Sequence, residues 1–561
     1  VLGTDIVSGP PTYITYDLNS VGAFKQYRIQ ALNNATAGTI QWQFVTGTAA
    51  SPLYATTWRP YTLGQTLSAY NAFIDPATAT ASARWNTTGG GQPGFLPAVT
   101  ANNYYTFNVT NNAFANNNMG VLETSYNPAT ISSVTRAPAT VGAVISPTIT
   151  VTMSAAPSAG ENVYVRYSTN AGFTSSTIVQ LSFVGATGTA SIPLQAAGTT
   201  IYYYVYSSTR TKATIDADVV TYGQSVHDMA TLNLNNNAGA NYSYTVLPVT
   251  VNATNAANNA SYATLAAAFA AINAGTHTGA DTVWIGGNTT ETVSAVLNAS
   301  GVGLASYTKV TVKPSGFRTV TGNLAAPLVD LNGADNVTID GLSDGSNTLT
   351  FTNSNNTNTA GTSTIRMYNG ATIDSVQNCI LEGSTLSTTD GIVTLGTGTN
   401  TTITVNANTI RPAGANLPIY SINSSQSGTN TAVVISSNNI QDYFSASVSS
   451  SAIIATANVN AWTISTNRFY QTASRTVNTL GAVVRAIYIT GGGGHTISAN
   501  TIGFANSTGT GTTTYITTQT DNRITPIELA GNATVSSIQG NVIANISITS
   551  ASNLTSATAP G

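Results

Sequence analysis

The chain has 561 residues, a formal net charge of −3, and only 17 basic against 20 acidic side chains. That length exceeds one small core, so several domains are expected, and so few cations give no electrostatic footprint for nucleic acid. A single cysteine excludes an internal disulfide framework, and no apolar run is long enough to span a membrane.

Solubility must come from the hydroxyls and amides of Thr, Ser and Asn. Such a bias can signal disorder, but 42% hydrophobic residues placed periodically argue for order. The chain opens at Val1 with no basic-then-apolar leader, which is expected if a signal peptide is removed or left out. The composition suits an extracellular bacterial protein that does without disulfides.

Residues 1–120 read as short strands between Gly, Pro and Asn, among them Tyr13–Tyr16, Tyr27–Gln30, Ile40–Phe44 and Tyr104–Val109. Trp42, set among alternating apolar residues, is expected in a sandwich core. Residues 121–247 repeat the pattern at Ile149–Met153, Val163–Tyr167, Thr189–Pro193 and Ile201–Tyr206. Two Ig-like β-sandwiches in tandem are the simplest reading. Of 26 tyrosines, 18 precede residue 250, so aromatic surface concentrates here. Tyr202, Tyr204 and Tyr206 are weighed as a glycan-stacking row against ordinary core or edge packing.

Residues 248–260, rich in Asn and Ala, read as a linker. The helix of 261–273 follows, with Leu265, Phe269 and Ile272 on one face and Ser261 as its cap. It is expected to cover the open edge of the coil behind it. That coil, 261–561, is announced by a hexapeptide with aliphatic first and apolar last positions: Val337–Leu342, Val376–Leu381, Val405–Ile410, Ile435–Ile440, Ile464–Phe469, Ile497–Ile502 and Ile538–Ile543. Its fourth position recurs after 39, 29, 30, 29, 33 and 41 residues, the mark of stacked supersecondary units. The residues there are Asp340, Cys379, Asn408, Asn438, Asn467, Asn500 and Asn541. Strand, bend, strand fits the motif, with Asn at the left-handed corner and its amides bonded from turn to turn. A second strand recurs at Gly391–Leu395, Pro418–Ile422, Ala452–Ala455, Ala486–Ile489 and Pro526–Leu529. The fold class is therefore all-β, two sandwiches followed by a parallel β-helix with a capping helix.

Four stretches, Met153–Glu161, Ala197–Val205, Tyr262–Asn273 and Asn332–Gly341, resemble those of large secreted proteins of Bacteroidota-type bacteria exported by the type IX pathway. The resemblance covers residues 119–561 and implies a sandwich module, a right-handed parallel β-helix and a cell-surface or released protein. It implies no catalytic activity. The family's C-terminal sorting domain is not visible.

For chemistry, the register sets Asp335 and Asp374 on successive turns, two positions ahead of the motif. Such a pair can share a proton or hold a metal ion; alternatively each acid bonds its own turn. His495 is expected to pack over Trp462, and Cys379 to be a packed thiol. Tyr420, Ile454, Tyr488 and Glu528 are read as one exposed file of the second strand, and Tyr515 as the middle of an extruded loop. These tyrosines are the candidate sugar platform. No cofactor is implied. Two function classes stay open: a non-enzymatic surface protein or adhesin, self-associating head to tail into a fibre, and a carbohydrate-active or glycan-binding protein on the same scaffold.

Overall fold

The computed structural model is all-β, with 49% strand and 7% helix. It describes residues 100–110 and 119–550 except 457, 520 and 531–533. It also describes the backbone of the strands Tyr13–Asn19, Phe24–Ala31, Gln41–Trp42, Phe44–Thr48, Ser51–Pro60, Phe73–Ile74, Trp85–Asn86 and Gly94–Phe95, together with Leu32 and the side chains of Gln26 and of residues 28–31. The Trp42 side chain lies outside the described residues. The chain divides into two compact units. One is Val1–Ala139 with Ser146–Pro193 and Thr199–Thr245; the other is Val246–Gly561 with Thr140–Ile145 and Leu194–Gly198.

The second unit is a β-solenoid of about nine turns over residues 278–549. Three long sheets run its length, and their strands pair in parallel from turn to turn. The two apolar ends of the hexapeptide belong to two different sheets. Val376, Val405, Ile435, Ile464 and Ile497 form one file, and Leu381, Ile410, Ile440, Phe469 and Ile502 form another. All ten are closed from solvent. Alternation at period two is what turns these aliphatics inward and the intervening Thr, Ser and Asn outward. In the first copy Ile339, not Val337, stands opposite Val376. The hexapeptide reading was therefore two residues out of step there, because Val337 and Ile339 both face inward and offer the same apolar signal.

The corner chemistry also differs from expectation. The left-handed residue is the third of the motif, not the fourth: Asn378, Ala407, Ser437, Thr466 and Ala499 have φ between 54° and 57°. The Asn behind it points inward instead. A second left-handed file precedes the first sheet at Asn336, Ile373, Thr402, Ala432 and Ala461. Ile373 is a poor occupant, since a β-branched chain at φ 57° is strained and its side chain is 61% exposed. Asn336 holds the same place one turn earlier, and its amide donates to the Thr308 carbonyl at 2.8 Å. Ile373→Asn is expected to raise stability by about 1 kcal/mol. A thermal midpoint at or below that of the parent chain would count against this account.

The stretch 248–260 is not a linker. Strands Val249–Asn252 and Ala260–Tyr262 form a hairpin whose first strand runs antiparallel to Thr278–Ile285 and begins the first sheet. Ser261 lies in that hairpin, so the helix starts later than expected, at Leu265–Asn273, with Thr264 accepting the Ala267 N–H. Two more amides of its first turn, Leu265 and Ala266, donate to the buried Glu291 carboxylate at 2.9 Å. Leu265, Ala268, Phe269 and Ile272 face the solenoid core.

In the first unit, a five-stranded sheet takes in Tyr13–Asn19, Phe24–Ala31, Tyr104–Thr110, Met119–Thr124 and Phe73–Ile74. A four-stranded sheet has the order Ile131–Ala137, Thr148–Met153, Thr187–Ser191, Ser182–Val184. A further sheet orders Tyr242–Leu247, Thr200–Ser208, Asn162–Ser168 and Thr177–Gln180. Two helices were not foreseen, α1 (Lys212–Tyr222) and α2 (Val226–Met229). Among the described side chains of α1 only Ile215 is fully closed off, and Val220 is 89% exposed, so no apolar stripe marks it in the sequence.

Candidate functional site

The most developed chemistry lies inside the coil. Each ladder Asn accepts, through its side-chain oxygen, the backbone N–H of the preceding one: Cys379, Asn408, Asn438, Asn467 and Asn500 donate in turn at 2.9–3.0 Å. Each Asn amide also donates to the carbonyl of the aliphatic that opens the preceding copy, from Val376 to Ile497, at 2.8–2.9 Å. Asn408, Asn438, Asn467 and Asn500 are at most 1% exposed. A buried amide satisfied on both sides stitches the corner that the left-handed residue opens. Cys379 heads the file with its thiol against the Gln377 carbonyl, and burial, then the charge of Asp340, pushes that thiol up. Asp340 itself is outward, bonded to Gln377 and Asn378.

A second, shorter ladder went unread. Asn400 donates to Asn430 at 2.7 Å, both fully buried, and Asn400 accepts the N–H groups of Gly370 and Ala371. Its signal was present: Gly-Thr-Asn-Thr occurs at 398–401 and again at 428–431.

Asp335 and Asp374 are not in one file. Asp335 bridges to Thr372, whose hydroxyl it accepts, at the corner. Asp374 instead stands beside Val337, accepting its N–H at 2.8 Å. It faces inward in a file with Asp281, Val310, Val337, Ile403, Val433, Trp462, His495 and Ser536. Burial, reinforced by the charge of Asp335, pushes Asp374 up to about 8 against the opposing Val337 N–H. His495 is 1% exposed, accepts the Trp462 N–H and lies against the Gly491 carbonyl. It is enclosed in the packed interior.

On the outer face of the third sheet, Tyr420 and Tyr488 stand in different files. Tyr420 pairs with Ser451 and, one turn on, Arg485; Tyr488 pairs with Ile454 and Glu528. Ile454, read as exposed, is 7% exposed. The two tyrosines nevertheless share Arg485, whose guanidinium lies 4.1 Å from the Tyr488 ring centre, pairs with Glu528, and opposes the upward pull of burial on Tyr420. Tyr515 is no loop tip. It lies in the strand Thr513–Thr517, 4% exposed, and bonds Tyr443 and Gln471 in the interior. A long insert was read as extruded because its period-two pattern spans only five residues.

Elsewhere on the coil three acids are each paired with one arginine: Asp330 with Arg366, Glu382 with Arg411, Asp442 with Arg475. Among the described residues no three His, Cys, Asp or Glu side chains gather in a metal-binding group.

In the first unit the tyrosine row is covered. Tyr204 and Tyr206 are 7% and 0% exposed and pack with Ile215 of α1 and Val226 of α2. Arg166, 4% exposed, fastens this layer: it donates to Tyr204 (2.6 Å), Ser176 (2.7 Å) and Gln224 (3.0 Å), between the rings of Phe173 and Tyr204. Tyr206 bonds His227 at 2.9 Å, and burial with the nearby Arg166 holds that imidazole down at about 2. Side chains of the first sheet read the loop after α2: Gln26 and Asn108 reach the Thr231 carbonyl at 2.8 and 2.7 Å, and Arg28 the Leu232 carbonyl at 2.6 Å. No family model, no curated protein and no solved structure matches this chain.

Proposed function

We propose that the chain is a non-enzymatic extracellular protein of a bacterial surface, a structural subunit or adhesin in which the coil is a stiff spacer. The observation that carries this reading is the use made of its polar groups. Inside, amide ladders tie turn to turn, and outside, Asp330, Glu382 and Asp442 are each held by one arginine. Ladders and ion pairs of this kind give rigidity rather than a reactive centre.

The contact modules are the N-terminal ones, read as Ig-like sandwiches. The second has the antiparallel order of the ABED and GFC sheets of that fold, with the helices α1 and α2 inserted ahead of its last strand. Right-handed winding of the coil and export by the type IX route rest on parallel crossover geometry and on the resemblance above. Self-association is the concrete version of the role. Strands stacked in parallel present unpaired edges at any open end of a coil, and such edges favour adding a further strand.

The second reading, glycan binding on the coil, is favoured by the Tyr420, Arg485, Tyr488 and Glu528 group. Electron microscopy of the purified protein separates the two. Ordered polymers, or single particles that release no product from a polysaccharide panel, fit the structural role. Saccharide cleavage abolished by Glu528→Gln would overturn it.

A further inference from the structure

We propose that the first four rungs of the inward file form a proton-held joint: Asp374, and behind it Asp281, stay uncharged acids in the closed coil, and rising pH opens the coil there first. Asp374 is 1% exposed, between Val337 and Ile403, and its Oδ2 is buried without a partner. Asp281 is 2% exposed, beside Val310, and neither of its oxygens has a partner. Ionising a carboxyl in such a place costs several kcal/mol unless a cation or several donors compensate it.

One donor, the Val337 N–H at 2.8 Å, reaches Asp374, and no cation does. The titratable groups facing Asp374 are Asp335 and Tyr307, and neither supplies positive charge. Around Asp281, the hairpin strand Val249–Asn252 and the helix Leu265–Asn273 carry no charged residue. On the next strand Lys309 is exposed and Lys313 lies over Trp284, 4.3 Å from its ring. Every other described member of this file is neutral in kind or aliphatic save His495, four rungs beyond Asp374. The joint therefore sits in one stretch of the coil.

The sign follows from which state holds the proton. Unfolded, both acids ionise near the ordinary aspartate value of 3.8; folded, Asp281 holds its proton to about 6 and Asp374 to about 8. The folded coil binds more protons, so its stability falls as pH rises through those intervals and levels off above them. His277 works the other way. Burial lowers it from 6.5, so it costs stability only below that pH. Between about pH 6.5 and 8, Asp374 acts alone, and the folding constant of the solenoid is expected to drop about tenfold per pH unit.

The test is denaturant unfolding of the whole chain, followed by hydrogen exchange across the coil, from pH 6 to 9. Wild type should show the tenfold slope and lose protection first in residues 281–374. Asp374→Asn keeps an acceptor for the Val337 N–H and should be flat over the same interval. An unchanged slope in the variant, or protection lost first at another place, would overturn the proposal. Should the variant not fold, infrared spectroscopy of the wild type decides. A protonated carboxyl band at pH 7 that bleaches towards pH 9 is expected, and its absence at pH 7 rejects the idea.

Discussion

Asn467→Ala is expected to cost the solenoid about 3 kcal/mol. Four bonds are lost together, one of them the donation of the Asn467 amide to the Asn500 side-chain oxygen at 3.0 Å. The Asn438 N–H loses the oxygen it donates to at 3.0 Å, the Asn438 amide loses the same oxygen at 2.9 Å, and the Ile435 carbonyl loses its donor at 2.8 Å. All of these groups are closed from water, so nothing replaces the missing bonds. Asn541→Ala is the internal control. Its side chain is half-buried, where those of Asn438 and Asn467 are closed; water can then take over part of its role, and a loss nearer 1 kcal/mol is expected. Calorimetry of the solenoid transition in the two variants checks the ordering. Equal losses would mean that the ladder is decoration and that the aliphatic files alone hold the coil.

Arg166→Met should be the most damaging change in the first unit, at roughly 3–5 kcal/mol, the usual cost of removing one member of a buried charged network. Methionine can fill the space between Phe173 and Tyr204 but donates nothing to Ser176, Gln224 or Tyr204. The layer of α1 and α2 would then keep its apolar contacts at Ile215 and Val226 and the Tyr206–His227 bond, but lose the guanidinium that ties it to Tyr204, Ser176 and Gln224. Limited proteolysis should cut between Thr209 and Thr231 in the variant and not in the parent. Intact resistance there would show that the apolar contacts suffice. The outcome matters for function, because that layer decides whether Tyr204 and Tyr206 are surface or core.

Short-range periodicity was enough wherever a residue's role repeats. The aliphatic ends and inward Asn of the hexapeptide mark the solenoid, because stacking at a fixed rung spacing forces like residues into files. The same logic places Cys379 at the head of the Asn file and His495 over Trp462. It failed at the first copy, where two inward aliphatics two residues apart carry identical signals, and Asp374 was consequently matched with Asp335 instead of Val337. It failed at Tyr515, and for Tyr420 against Tyr488, because pairing between turns depends on loop lengths that no local pattern records.

What the sequence alone determined is thus the all-β character, the repeating coil and its polar, nearly charge-free surface; these follow from composition and period, which every turn restates. Only the tertiary structure decided which carbonyls receive the ladder amides, that α1 and α2 cover the tyrosines, that Glu291 caps a helix some 25 residues away in sequence, and that two acids face an apolar interior. Those facts depend on contacts between segments distant in the chain, where a single polar atom finds its partner, or finds none, according to how the turns are stacked.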